Sequence, residues 1–286
     1  EIVDANPTKD EKLSLFAHDA EDTNNHDLSS EVVGAAVQIV RTYPCEFELI
    51  SGWREFKWEF APRGELSYLR AVRKAILRAR EYIYIEDQYG LYMDDIFDAI
   101  ARALEGGEVE HVVVLIARSS GVHLAGCATS QYEMWMPLKT AYPDKVTLTV
   151  REDHAFVHSK MILVDDIWAL IGSANIGYRS FTSDPEIGAA VVDERTISRE
   201  SDKRTVTKFA HDVRIRSWAE HANVTPEAMR KMNVAEGIDA LKSKDSFLVD
   251  RENWDTKVGR ALGFIDSDVI QRHLCSLSDP DGQCKE

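Results

Sequence analysis

Cysteine is scarce in this chain of 286 residues: Cys45, Cys127, Cys275 and Cys284 are the four, with no Cys-x-x-Cys pair and no companion histidine spacing. The common zinc patterns are therefore missing. Long apolar runs are missing too, and none approaches the roughly 20 residues a membrane-spanning helix needs. Internal repeats and low-complexity tracts are absent. Positive charge is in the minority, with 34 Lys and Arg against 49 Asp and Glu and a formal net charge of −15. Non-specific affinity for nucleic acid comes mostly from cations that neutralise phosphates, so this balance excludes a surface built for it, although it leaves room for a small basic pocket. The chain opens on Glu1 with no Met and no apolar leader, as expected of a processed or engineered start.

What is present is an ordinary globular composition, 44% hydrophobic and 29% charged, long enough to bury a substantial core without disulfides. Cys275 and Cys284 close a short Ser/Asp/Gly-rich segment. Paired, they favour an oxidising, extracellular setting; left as free thiols, they suit a cytoplasmic or membrane-peripheral protein equally. Residues 1–32 are polar, carry turn and disorder signals, and are expected to be flexible. From residue 33 the periodicity sharpens. "AAVQIVRTYP" reads as a strand stopped by Pro44. "ELSYLRAVRKAILRARE" puts Leu66, Leu69, Val72, Ile76 and Ala79 on one helical face with Arg and Lys opposite. The strand "YIYIEDQY", a helix over "MDDIFDAIARALEGG", the strand "HVVVLIA", a helix around "SQYEMWM" and the strand "KVTLTV" follow. Phe156–Val164 alternates toward another strand, Asp165 and Asp166 make a turn, "IWALIG" returns, and "EIGAAVV" adds one more. Strands alternating with helices predict an α/β fold with a mixed, largely parallel sheet and helices on both faces. After Val206 the chain reads as helical, and Thr225-Pro226 reads as an N-cap followed by proline at the first helical position.

Chemistry concentrates between residues 158 and 175. Residues two apart in a strand share a face, so His158 and Lys160 are expected to project into one pocket. An ammonium beside an imidazole lowers the imidazole's pKa and offers a cation to an anionic substrate. Phosphoryl transfer needs both a nitrogen that attacks or protonates and positive charge where oxygen charge develops. Ser173 and Asn175, again two apart and following Gly172, can hydrogen-bond phosphate oxygens from a strand end. The plainer alternative for His158 and Lys160, a polar strand face turned to water, loses ground once Gly-Ser-x-Asn follows at this interval.

The pattern His158-x-Lys160-x4-Asp165-x6-Gly172-Ser173-x-Asn175 resembles the HKD motif of the phospholipase D superfamily. "VQIVRTYP", "AILRAREYIYIEDQY", "DPEIGAAVVD" and "FAHDVRIRSWAEH" resemble stretches in the C-terminal half of two-motif phospholipases D, and together these cover most of residues 33–225. The resemblance implies a phospholipase D-like catalytic half over 33–225, with 226–286 as a helical and irregular extension packed on the same domain. It also implies phosphodiester hydrolysis through a phosphohistidine, with the substrate a phospholipid at a membrane surface, phosphatidylcholine first among candidates. The products would be phosphatidic acid and a free alcohol, with transphosphatidylation when an alcohol replaces water. As the second motif of such an enzyme, this one makes His158 the acid/base, with the nucleophile role as the alternative, and Lys160, Ser173 and Asn175 the phosphate grip. Glu186 resembles the acidic residue that holds a catalytic histidine in its productive tautomer. Asp165 completes the motif by ordering the turn and the lysine. No metal or cofactor is called for, and neither nucleic acid nor a membrane span is expected.

One motif is half a site. His18, His26, His111, His123, His154, His211, His221 and His273 lack a lysine two residues on and a following Gly-Ser-x-Asn. A second HKD-bearing chain is therefore expected: the N-terminal half of a precursor, or a second copy as in a homodimeric endonuclease or phosphodiesterase. A non-catalytic subunit of a heteromer is the reading from another class. Beside the motif, Glu86, Asp87 and Gln88 end a central strand, where α/β sites commonly lie. Trp168, Tyr178 and Phe181 are either a cage for a quaternary ammonium or simple packing. "GVHLAG" around His123 is either a membrane-meeting loop or buried packing.

Overall fold

The computed structural model describes residues 34–44, 47–48, 55–56, 58–117, 128–153 and 155–250. The four cysteines, His123 with its loop, His154, the 1–32 segment and the chain beyond 250 lie outside these residues. Strand β1 (Ala35–Tyr43) is followed by the short pair β2 (Phe47–Glu48) and β3 (Glu55–Phe56), then β4 (Glu65–Leu66) and helix α1 (Ser67–Ile76). Next come β5 (Tyr82–Asp87), α2 (Asp94–Glu105), β6 (His111–Ile116), α3 (Ala128–Ala141) and β7 (Val146–Arg151). The hairpin β8 (Met161–Val164) and β9 (Trp168–Gly172) leads through a π-helical turn (Arg179–Ser183) to β10 (Glu186–Asp193). The pair β11 (Thr196–Ser198) and β12 (Thr205–Thr207) precedes α4 (Lys208–Ala222), α5 (Pro226–Lys231), α6 (Val234–Leu241) and β13 (Leu248–Asp250).

A nine-stranded sheet carries the fold, in the order β13-β7-β6-β5-β8-β9-β10-β1-β4. The α/β class and the mixed sheet are as the sequence predicts, but "largely parallel" is not. Among the described strands β5, β6 and β7 run parallel, whereas β8, β9, β10, β1 and β4 pair antiparallel, as β13 does with β7. The physical reason lies in the connections. Helices cross over between β5, β6 and β7, while a tight turn joins β8 to β9, and a tight turn can only return a strand antiparallel. Strand β8 also begins later than predicted, at Met161, leaving 155–160 as extended chain leading into it.

Strand alternation divides the core. Ile83, Ile85, Val112, Val114, Ile162 and Val164 face α1, α2 and α3, which bring Leu69, Val72, Ile76, Ile96 and Ile100. Tyr82, Tyr84, Val113, Leu115, Met161 and Leu163 face α4, α5 and α6 with Ile215, Trp218 and Ile238. Each such aliphatic side chain taken fully from water stabilises by roughly 1.5–3 kcal/mol. At the start of α5, Thr225 Oγ1 accepts from Ala228 N at 3.2 Å with Pro226 at the first helical position, as predicted. No helix among the described residues is long and apolar enough to cross a membrane.

Candidate active site

The sheet brings four chain segments to one end. Strand β5 delivers Glu86 and Asp87, whose neighbour in β8 is Met161 opposite Glu86, so the lead-in with His158, Ser159 and Lys160 lies beside Asp87 and Gln88. Strand β9 ends at Gly172, opposite Gly188 of β10, which sets Ser173 next to Glu186 and Ile187. The pairing leaves no space for a side chain at Gly172. A Cβ there would lie 2.5 Å from Tyr68 Oη and 2.7 Å from the Ile187 carbonyl.

Lys160 Nζ donates to the His158 carbonyl at 2.8 Å and to Gln88 Oε1 at 3.3 Å. Burial lowers its pKa, against the pull of the Asp87 and Glu186 carboxylates. Asp87 is fully buried beneath it. Its Oδ1 accepts from Tyr89 N and Gly90 N, each at 2.7 Å, and its Oδ2 from Ile176 N at 2.9 Å. One carboxylate thus ties the turn after β5 to the Ser173–Asn175 segment. Burial pushes its pKa up to about 6, against those three N–H groups and Lys160. Gly90 closes the turn at φ +56°, where a Cβ would meet Ile116 and Trp135 at 2.9 Å.

Ser173 Oγ donates to Glu186 Oε2 and accepts from Ile187 N at 3.1 Å. Asn175 is half-buried, and its Oδ1 is buried without a hydrogen-bond partner among the described residues. Leaving such an acceptor unpaired costs about 1–3 kcal/mol. A donor supplied from outside the chain would remove that cost. His158 is exposed, its ring stacked on Phe156 with centroids 5.9 Å apart, and no described side chain hydrogen-bonds its imidazole. It borders a cavity of about 300 Å³ shared with Glu86, Phe156, Ser159, Glu220 and His221.

Beneath that cavity is a chain of polar contacts that sequence reasoning missed. Ser159 Oγ donates to Glu86 Oε2 at 2.6 Å, while Tyr84 Oη (2.7 Å) and His221 Nε2 (3.0 Å) donate to Glu86 Oε1. Arg151 donates to His221 Nδ1 at 3.0 Å, so the ring's other nitrogen must carry the proton toward Glu86. Burial raises the Glu86 pKa, but His221, Ser159 and Tyr84 outweigh it and hold the carboxyl below its ordinary range. The residue between His158 and Lys160 is thereby anchored to the core. Alternation in "YIYIEDQY" was a signal for Glu86 on the Tyr84 face; His221, 135 residues away, gave no local one.

The structure brings His158, Lys160, Ser173, Asn175 and Glu186 to one sheet end, but not Asp165. Asp165 and Asp166 occupy the turn at the other end of β8, at φ 58° and 54°, closed by Ile167 N to the Val164 carbonyl at 2.9 Å. Asp165 accepts from Arg80 N, Glu81 N and Tyr82 N at 2.8–2.9 Å, which fixes the start of β5. Far from the phosphate grip, it acts on the lysine only through the strand between them. Glu186 binds Ser173 rather than the described His158. Trp168 sits beside the same distant turn, Phe181 is buried against Tyr68 with centroids 5.4 Å apart, and Tyr178 donates to Asp94 at 2.9 Å, so the three form no cage.

Comparison with known proteins agrees with this geometry. The family model described as cardiolipin synthase, PLD-like domain, matches residues 72–209. Phospholipase D zeta 1 of Arabidopsis thaliana is 26% identical over 251 residues, covering 70% of this chain and 23% of that protein. A cardiolipin synthase of Staphylococcus aureus is 25% identical over 198 residues, covering 68% of this chain and 35% of that protein. The crystal structure of a phospholipase D family member, Nuc from Salmonella typhimurium, aligns with a TM-score of 0.46 at 17% identity, over 66% of this chain and 95% of that one. Over residues 72–209 the chain is similar to the PLD-like domain of the phospholipase D superfamily. It spans only 23% and 35% of the length of these two curated relatives.

Proposed function

We propose that this chain supplies one half of a phospholipase D active site that hydrolyses the headgroup phosphodiester of a phospholipid, phosphatidylcholine first, and completes it with a second HKD-bearing half. The observation that carries the reading is the sheet end itself. An exposed imidazole, a half-buried ammonium held by the His158 carbonyl and Gln88, a serine hydroxyl and an asparagine whose Oδ1 has no partner among the described residues converge there. A histidine nitrogen attacks phosphorus and the P–O bond to the headgroup breaks, giving a phosphatidyl-histidine and an alkoxide that takes the proton of the other histidine. Water, deprotonated by that second histidine, then attacks phosphorus. The P–N bond breaks, and phosphatidic acid leaves. An alcohol in place of water yields the exchanged phospholipid. Lys160 and Asn175 offset the charge that grows on the non-bridging oxygens.

Two features support a second half. The imidazole of His158 lacks a carboxylate among the described residues, because Glu86 is engaged by His221 and Ser159, and Glu186 by Ser173. Next to Glu186, the sheet face of β9, β10 and β1 also stays open and apolar, with Ile171, Ile187 and Ile39 each about half exposed. The test is transfer to ethanol. The complete enzyme on phosphatidylcholine vesicles with ethanol is expected to form phosphatidylethanol, and His158→Asn is expected to abolish it. Hydrolysis of an oligonucleotide with no phosphatidylethanol would replace this reading with a nuclease-like one.

A further inference from the structure

The outer face of α1 contradicts the charge of the whole chain. Helix α1 and the residues after it hold Arg70, Arg73, Lys74 and Arg78, all exposed, around a groove of about 520 Å³. Among the described residues the only acidic one lining it is Asp95, 3.5 Å from Arg73, and both members of that pair are about 40% exposed or more. Such a pair is worth little. Arg70, Lys74 and Arg78 have no acidic partner among the described residues. Arg70 and Lys74 stand four apart on the helix, where like charges work against it, and Arg78 follows four further on, just past the helix end. In a chain with 49 acidic residues, an uncompensated cationic row is a local arrangement rather than a consequence of composition.

Leu66 and Leu77 lie in the same groove, and Leu77 is 39% exposed. Apolar side chains interleaved with cations, and no aromatic ring on which a base could stack, fit a lipid–water interface better than a nucleic acid. Helix α1 also starts beside the sheet end that carries the site. Tyr68, in the first turn of α1, packs under Gly188 and Gly172, where a Cβ at Gly188 would lie 2.7 Å from its ring. From there the cationic row extends about 12 Å along the helix.

We propose that the groove of Arg70, Arg73, Lys74 and Arg78 is a docking site for the phosphate headgroups of anionic phospholipids, which holds the sheet-end site at the edge of a membrane surface. This deepens the lipid reading of the site and rests on it for its purpose, but docking is measurable without turnover. The full chain is sedimented with vesicles of phosphatidylcholine alone and of phosphatidylcholine mixed with phosphatidic acid. Binding is expected to the mixed vesicles and not to the neutral ones. At about one kcal/mol per cation near an anionic surface, Arg70→Gln, Lys74→Gln and Arg78→Gln together weaken it about a hundredfold. Arg80→Gln, outside the groove and 3.6 Å from Glu108, changes it less than fivefold. Unchanged binding by the triple variant overturns the proposal, as does equal binding to neutral vesicles. Release of the chain by millimolar inorganic phosphate at constant ionic strength overturns the lipid assignment in favour of a free-phosphate site. Tighter binding of a single-stranded oligonucleotide through the same residues overturns it in favour of nucleic acid. Ethanol transfer that fails while docking persists would overturn the reaction and leave the docking site standing.

Discussion

The two ends of strand β8 are built on opposite terms. At one end, Asp166 is fully buried and saturated: Arg214 donates to it at 2.7 and 2.8 Å, Arg199 at 3.2 Å, the Tyr82 hydroxyl at 2.8 Å, and His211 lies at 3.0 Å. Burial alone would raise its pKa, but Arg214 and His211 hold the carboxyl far below the ordinary range. At the other end, among the described residues, the exposed His158 ring has no hydrogen-bond partner, Lys160 leans on a backbone carbonyl, and Asn175 Oδ1 stays unpaired. Four residues of strand separate a finished foundation from an unfinished site. The three letters of the HKD motif divide between them: the histidine and lysine stand at the open end, and the aspartate holds the turn at the other.

The sharpest way to break this contrast is His158→Asn. In the complete enzyme, turnover is expected to fall by roughly 10³–10⁴ or more with the melting temperature little changed, because the exposed ring stacks only on the exposed Phe156. A large loss of stability would move His158 to the structural side. Asp166→Asn tests the opposite end. It leaves buried Arg214 and Arg199 without their shared carboxylate and is expected to cost about 3–5 kcal/mol in denaturant unfolding, with activity per folded molecule retained.

Asp87, buried under Lys160 at the open end, sharpens the comparison through pH. Its folded pKa of about 6 lies above its ordinary value of 3.8, so the folded state holds the proton more tightly. Its protonation therefore favours folding below about pH 4, and that contribution, roughly 3 kcal/mol for two pKa units, is lost as pH rises through 6. The difference in unfolding free energy between wild type and Asp87→Asn should change across this window and be flat above it. A difference that does not vary with pH would show that the site end does not strain this carboxylate. The smallest effect is expected from Asp165→Gly, which tolerates the left-handed turn but gives up three backbone hydrogen bonds, for about 2 kcal/mol and no change in the pH profile of turnover.

Much of this was legible in the sequence because it is local. The period of "ELSYLRAVRKAILRARE" gave α1 its buried face, alternation gave β5, and the fixed spacing from His158 to Asn175 gave the residues that meet at the sheet end. What stayed hidden depends on distant pairing. Antiparallel register between β1 and β10 joins residues 144 to 158 apart, so strand direction could not be read from short windows. Asp165 was legible as a turn residue, but its partners were not, for a related reason. Its partners are the backbone N–H groups of residues 80–82, which no side-chain pattern encodes. The Arg151–His221–Glu86–Ser159 chain was invisible because its members come from β7, α4, β5 and the lead-in to β8.

The central claim is that this chain holds half of an active site. The native mass of the catalytically active particle, followed by denaturation and identification of its chains, tests it most directly. The account predicts two HKD motifs in every active particle, with the second contributed by a different polypeptide or by a further segment of the same precursor. Two identical copies would keep the half-site and favour the homodimeric phosphodiesterase. Turnover by a monomer whose only HKD motif is His158–Asn175 would contradict the account.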